Sequence, residues 1–157
     1  MDTAYKTTLE LDKVLNRAVQ LCACQETKEM MQALEPAPTI EDERYDLTQT
    51  NAINALLIKN GSPRFGSVRE VRRIVAHARK GGILSMGELL EIAATLRNFS
   101  GLSQWYGLSE HEMLPTDDLF FALAPQPVLE KQISESIISP EEMADTASVT
   151  LHDLRRK

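Results

Sequence analysis

Cysteine, aromatic residues and long apolar runs are all scarce in this 157-residue chain, and each scarcity closes off a class of protein. The two cysteines, Cys22 and Cys24, stand one residue apart. That spacing suits neither a Cys-x-x-Cys redox pair nor a zinc knuckle, so they read as small apolar residues near a helix end. Nothing implies an oxidising compartment. Aromatics are 5% of residues, which leaves few faces for stacking bases. The longest unbroken apolar run, Leu119 to Ala124, is far short of the ~20 residues that span a bilayer. At the N-terminus Asp2, Lys6 and Glu10 interrupt any apolar core behind a basic start, so no secretory signal is read. A cytoplasmic protein without membrane association is expected. The length suits a single domain, residues 1–157, that buries roughly 70% of its unfolded surface.

What is present favours helix. Apolar residues at Leu11, Leu15, Ala18 and Cys22 have helical spacing. A second helix is expected over Glu26 to Leu34, before Pro36 and Pro38 forbid continuation. Thr39, with Asp42 at the box position, starts a third, and Asn60-Gly61 ends it. Ser67 stands three residues before Glu70, and Ser85 three before Glu88. In each pair the hydroxyl can accept from a first-turn N–H while the Glu reaches back to the cap's own N–H. The pattern therefore predicts a helix over Val68 to Arg79, a stop at Gly81-Gly82, and a helix from Ser85 with Leu89, Ile92, Ala93 and Leu96 buried, running towards Trp105. Gly107 to Pro115 reads as a loop. Leu119 to Leu123 and Val128 to Ile138 read as helices interrupted by Pro125 and Pro127. Ser139-Pro140 with Glu142 offers another capping signature for a very short helix. A last helix starts near Ser148 and meets no stop signal before Lys157, as if cut short there. No segment alternates convincingly as a strand, and there is no internal repeat. The expected class is all-α, a bundle of about seven or eight helices.

Chemistry-bearing patterns fail one by one. Gly61 to Val68 has the glycine spacing of a phosphate-binding loop, but Ser67 and Val68 replace its Lys and its magnesium-holding hydroxyl. His111-Glu112 cannot open a zinc-protease motif because Pro115 occupies the second His position. His77 and His152 are remote in sequence from each other and from cysteine, so no metal site is expected. The pairs Asp117-Asp118 and Glu141-Glu142 point about 100° apart on a helix and suit its positive N-terminal end better than a shared substrate. No catalytic set is expected.

The formal charge is −6, yet it is unevenly spread. Between Lys59 and Lys80 seven bases face one acid, Glu70, a segment of +6 against −12 for the remainder. Arg69, Arg72 and Arg73, with Lys80, form a basic face that can grip phosphates, pair with the acidic first turn of the third helix, or stay solvated.

The residue order Phe65-Gly66, Val71-Arg72, Lys80-Gly81-Gly82-Ile83-Leu84-Ser85 and Glu88-Leu89-Leu90 resembles the N-terminal region of the bacterial MutS-II family, MutS paralogues without the mismatch-recognition domain. The resemblance covers nearly the whole chain. Leu9-Glu10 with Val14-Leu15 looks like the family's opening, and Leu34-Glu35-Pro36 like the end of its first helix pair. Asp145, Ala147 and Ser148 look like the element before its long lever helix, and Leu154-Arg155-Arg156 like that helix's start. Two departures are Ser67, where glycine usually follows Gly66, and Ser139-Pro140-Glu141-Glu142, where the family often carries Asp-Gly. The resemblance implies the first part of a MutS-type helical core, with clamp, ATPase and C-terminal nuclease domains beyond residue 157. It also implies an intact protein that is dimeric and uses ATP and magnesium. Such a protein acts on branched DNA in recombination suppression or repair, or on ribosomal RNA in collided ribosomes. No catalytic, cofactor or metal residue carries over onto these positions. The alternatives are a nucleic-acid or rRNA contact module acting through Arg69, Arg72, Arg73 and Lys80, and a free-standing helical adaptor.

A direct expectation is that this chain binds no ATP, because its one glycine-spaced loop lacks the phosphate-contacting Lys. Titration calorimetry with magnesium present checks this, and stoichiometric heat of binding would refute it.

Overall fold

Hydroxyl side chains cap the starts of three helices, at Thr39, Ser85 and Ser148. The computed structural model describes residues 7–64, 66, 68–108 and 112–156, and eight α-helices stand among them. They are α1 (Leu11–Leu21), α2 (Gln25–Gln32), α3 (Ile40–Asn60), α4 (Arg72–Arg79), α5 (Met86–Tyr106), α6 (Asp117–Phe121), α7 (Pro127–Ser136) and α8 (Val149–Arg155). Between α7 and α8 lie an antiparallel pair, β1 (Ile137–Ser139) with β2 (Glu142–Met143), and a 3-10 turn over Asp145–Ala147. The all-α class expected from the sequence is the class observed. Among the described residues no helix is long and apolar enough to cross a membrane.

The chain folds as two compact units, Met1–Gly61 with His111–Asp117, and Ser62–Glu110 with Asp118–Lys157. In the first, Thr39 caps α3 by accepting from the Asp42 N–H at 3.1 Å. Gly61 ends that helix at φ +72°, a left-handed conformation that costs glycine nothing. Its core is small, built on Leu15 and Leu56. The segment ending at Asp117 returns to α3, where the Pro115 carbonyl accepts from Gln49 Nε2 at 3.0 Å, and Thr116 is fully buried.

In the second unit α5 and α7 make the core. Ala93 of α5 is 2% exposed and packs with Ile133 and Ile137, with Met86, Leu89, Leu90 and Ile92 around them. Arg97 donates through Nε and Nη2 to Glu130 Oε1, at 3.0 and 2.7 Å, and through Nη2 to the Ser134 hydroxyl. At the far end of α5, Tyr106 stacks on Phe120 at 3.8 Å between ring centroids, and Trp105 meets the same ring at 6.0 Å. Ser148 caps α8, accepting from the Leu151 N–H. Arg155 ties that helix back to the Met143 carbonyl and the Asp145 carboxylate.

Three expectations are corrected. α4 begins at Arg72 and not at Val68, and Val71 at its N-cap offers no side-chain acceptor. The upstream chain is instead anchored by the Gly66 N–H, which donates to Asn98 Oδ1 on α5 at 3.0 Å. The cap expected at Ser67 lies outside the described residues. α7 ends at Ser136, one residue before Ile137 turns extended and joins β1, so the helix does not run to Ile138. The capping signature at Ser139-Pro140-Glu142 starts no helix. Pro140 and Glu141 turn a short hairpin, with the Glu141 N–H donating to Ser139 Oγ.

The Ser85 cap should stabilise the second unit by about 1 kcal/mol, the usual cost of Ser→Ala at an N-cap. Urea denaturation of Ser85→Ala is expected to show that loss, and an unchanged midpoint would mean that α5 starts without help from this hydroxyl.

Candidate functional site

The connection from α4 to α5 is the most specified part of the chain. α4 stops in a Schellman arrangement: the Gly82 N–H donates to the His77 carbonyl at 3.1 Å, and the Gly81 N–H to the Ala78 carbonyl at 2.9 Å. Gly81 supplies the required left-handed residue, φ +82°. Gly82 lies close to a side chain of the helix before it. A Cβ there would lie 2.2 Å from His77 Nε2, with the rest of the ring scarcely farther away. The imidazole therefore sits directly over the Gly82 backbone, in the place where such motifs usually carry an apolar contact.

Three residues on, α5 opens with a complete capping box. Glu88 N–H donates to Ser85 Oγ at 3.3 Å, and Ser85 N–H donates to Glu88 Oε2 at 2.8 Å. The Ser85 hydroxyl also donates to that oxygen, at 2.9 Å. These bonds favour the ionised carboxylate, the backbone N–H of Ser85 most and its hydroxyl next, with the charge of His77 helping, and they hold Glu88 below the ordinary carboxylate range.

Between α4 and the start of α5 lies an open cleft of about 520 Å³, lined by Glu70, Arg73, Ile74, His77, Glu88 and Glu91. Three carboxylates face one guanidinium and one imidazole. Among the described residues no group of three or more His, Cys, Asp or Glu is placed to hold a metal.

The basic residues are dispersed more widely than a single helical face allows. Arg69 lies in the non-helical approach to α4, and Arg72 and Arg73 are its first two residues. Lys80 is the C-cap. All four are exposed. Because α4 starts at Arg72, the expected i, i+3, i+4 relation of Arg69 to Arg72 and Arg73 does not form. Arg73 and Lys80, seven apart, share one side of α4, while Arg72 and Arg79 share another about 100° away. Arg73 stands among the acids of the cleft. On α4, Ile74 is buried, whereas its neighbour Val75 is 42% exposed.

The other candidates separate cleanly. Cys22 Sγ contacts the Ala18 carbonyl within α1's last turn. Cys24 stands at the N-cap position of α2 without a side-chain capping bond, and its Sγ lies 2.9 Å from Thr27 Oγ1, whose hydrogen bond lowers the thiol's pKa. His152 lies on α8, and Arg156 Nη1 is 3.5 Å from its Nε2. Phe65, Ser67 and His111 lie outside the described residues. The roles of His77 and Gly82 had one sequence signal, the doubled glycine, since a helix stop needs only one.

Comparison with known proteins finds relatives over nearly the whole chain. The chain is 30% identical over 156 residues to the protein named Endonuclease MutS2 of Lachnospira eligens, a match covering 99% of this chain. It is 30% identical over 159 residues, its full length, to that of Ruminiclostridium cellulolyticum. With the Clostridium beijerinckii protein the identity is 29% over 150 residues, 94% of this chain. It is homologous to part of MutS2. The match takes in 19–20% of each MutS2 relative, so the chain spans about a fifth of the length of the curated proteins it matches. No family model matches, and no solved structure does.

Two outcomes test the connection. Gly82→Ala should destabilise the chain through the His77 ring, so the loss should shrink in a His77→Ala background, whereas the loss from Gly81→Ala should not. A double-mutant cycle by urea denaturation measures both, and equal losses in either background would reject the ring contact. The second concerns pH. Glu88 has a folded pKa below its unfolded one, so its contribution is complete above the unfolded value and disappears as pH falls through the folded value. Glu88→Gln should therefore weaken the protein at neutral pH and converge with wild type in acid. A gap that persists at low pH would place the effect outside ionisation.

Proposed function

We propose that this chain is the N-terminal segment of the helical core of a MutS-II protein, a non-catalytic body that transmits nucleotide-driven movement from an ATPase domain to arms that grip nucleic acid. The carrying observation is the shape of the match. Nearly all of this chain corresponds to only a fifth of each MutS2 relative, and that fifth holds no phosphate-binding loop chemistry. Packed helices switching between discrete arrangements are a usual means of transmitting such a change. Large apolar side chains at the surface fit a body covered by further protein: Leu21 is 88% exposed, Ile83 93% and Met113 90%. In the intact protein we assign ATP and magnesium to an ABC-type domain and any nuclease activity to a C-terminal domain. We take that protein to be a cytoplasmic homodimer acting on branched DNA or collided ribosomes, in DNA repair, recombination control or ribosome rescue. Reading the gene past Lys157 tests this. A long helix followed by GxxxxGK[ST] is the expected result, and a stop codon there would favour a free-standing helical adaptor.

A second reading, contact with DNA or rRNA through Arg69, Arg72, Arg73 and Lys80, is favoured by the exposure of all four. It is opposed by Glu70, Glu88 and Glu91 beside Arg73. If these residues hold about four phosphates, binding to duplex DNA should weaken with salt at a log–log slope near −3 to −4, flattening by about one for each Arg→Ala. Fluorescence anisotropy over a salt series checks it. Undetectable binding at low salt, or binding that survives loss of all four, would remove this reading.

A further inference from the structure

The net charge follows the two units in an uneven way. Met1–Gly61 with His111–Asp117 carries twelve acids and six bases, whereas the other unit carries eleven of each. The whole −6 of the chain therefore belongs to the first unit. That unit also holds an apolar groove of about 420 Å³ between α1, the α2–α3 connection and α3. Leu15 and Leu34 with Leu47 supply its apolar surface, and the carboxylates of Glu35, Glu43 and Asp46 stand along it. Leu34 and Leu47 are 52% and 54% exposed, so the leucines are presented to an incoming surface as well as to their own unit.

The geometry points to a docking site for a basic amphipathic helix of a partner protein: apolar residues at i, i+3 or i+4, and i+7 enter the groove, and lysines or arginines beside them meet the acidic rim. The inference is independent of the proposed function. An amphipathic helix laid in an apolar groove, with anchors at i, i+3 or i+4, and i+7, is a recurring mode of peptide recognition. Charge selects the partner. An acidic helix would set like charges against Glu35, Glu43 and Asp46, which costs specificity and on-rate, while a basic one is steered in.

The probe is a fluorescent synthetic peptide of Leu and Lys with leucines at helical spacing, titrated with the full chain and followed by anisotropy. Two control peptides accompany it, a scrambled one of the same composition and one with Glu in place of Lys. We expect saturable binding that weakens several-fold from low to about 0.5 M salt, and much weaker binding of both controls. Leu47→Asp should weaken binding by about tenfold or more, as loss of a central anchor does. Asp46→Lys, on the exposed rim and harmless to the core, should weaken it several-fold. Ile58→Asp, on α3 but outside the groove, should leave it unchanged. Thermal melting establishes that each variant is folded, and if Leu47→Asp is not, Asp46→Lys decides. Equal binding of the scrambled peptide, or wild-type affinity in Asp46→Lys, would reduce the effect to general charge attraction and overturn the site. Self-association of the chain that Leu47→Asp abolishes and the peptide cannot displace would overturn it in favour of a second copy as occupant.

Discussion

The buried core of the second unit joins Ala93 to Ile133 and Ile137. A small side chain at that point of α5 lets the branched side chains of α7 and β1 approach closely, and a larger one would have to displace them. Much else follows from that approach. It places Arg97, one turn along α5, opposite Glu130 and Ser134. It also fixes the point at which the chain leaves α7, because Ile137 is at once a core residue and the first of β1. Extended backbone beginning at Ile137 is then turned by Pro140 into β2, so α8 starts close enough for Arg155 to reach Met143 and Asp145.

Local chemistry was readable in the sequence wherever one residue type has one use. Thr39, Ser85 and Ser148 cap helices as expected, and Gly61 and Gly81 stop them with positive φ. Stripes of apolar residues correctly marked Leu15, Ala93 and the Trp105 end of α5 as buried. Boundaries set by tertiary contact were not readable. The chain before α4 is held by the Gly66 N–H on Asn98, thirty-two residues away, and no local pattern encodes that bond. The end of α7 depends on burial of Ile137, which competes with a helical pattern running on through Ile138. α1 starts at Glu10, a left-handed residue with φ 56° and no capping side-chain bond, so no cap signal existed to be read. Only half of the candidate site was legible. The bases were visible as a cluster in sequence, but their placement depended on the α4 boundary.

That misplacement has a chemical consequence. A basic stripe on one helix face would be a phosphate rail, whereas the residues observed occupy an approach segment, a first helical turn and a C-cap. Arg72 and Arg73 lie at the positive end of the α4 dipole, where cations are disfavoured, while Arg79 and Lys80 lie at the favourable end. Arg73 lines the same cleft as the carboxylates of Glu70, Glu88 and Glu91. A guanidinium so placed is better used in balancing those acids than in holding a phosphate, which the same acids would repel.

The doubled glycine carries the last step of the synthesis. Gly81 answers a demand of the backbone, and Gly82 lies beneath the exposed His77 ring. The turn leads within three residues into a box whose hydrogen bonds, at 2.8 to 3.3 Å, close on Ser85 and Glu88. Ile83, between these two fixed points, is 93% exposed. The order from Lys80 to Glu88 is thus accounted for by one helix stop and one helix start, with a single exposed apolar side chain between them.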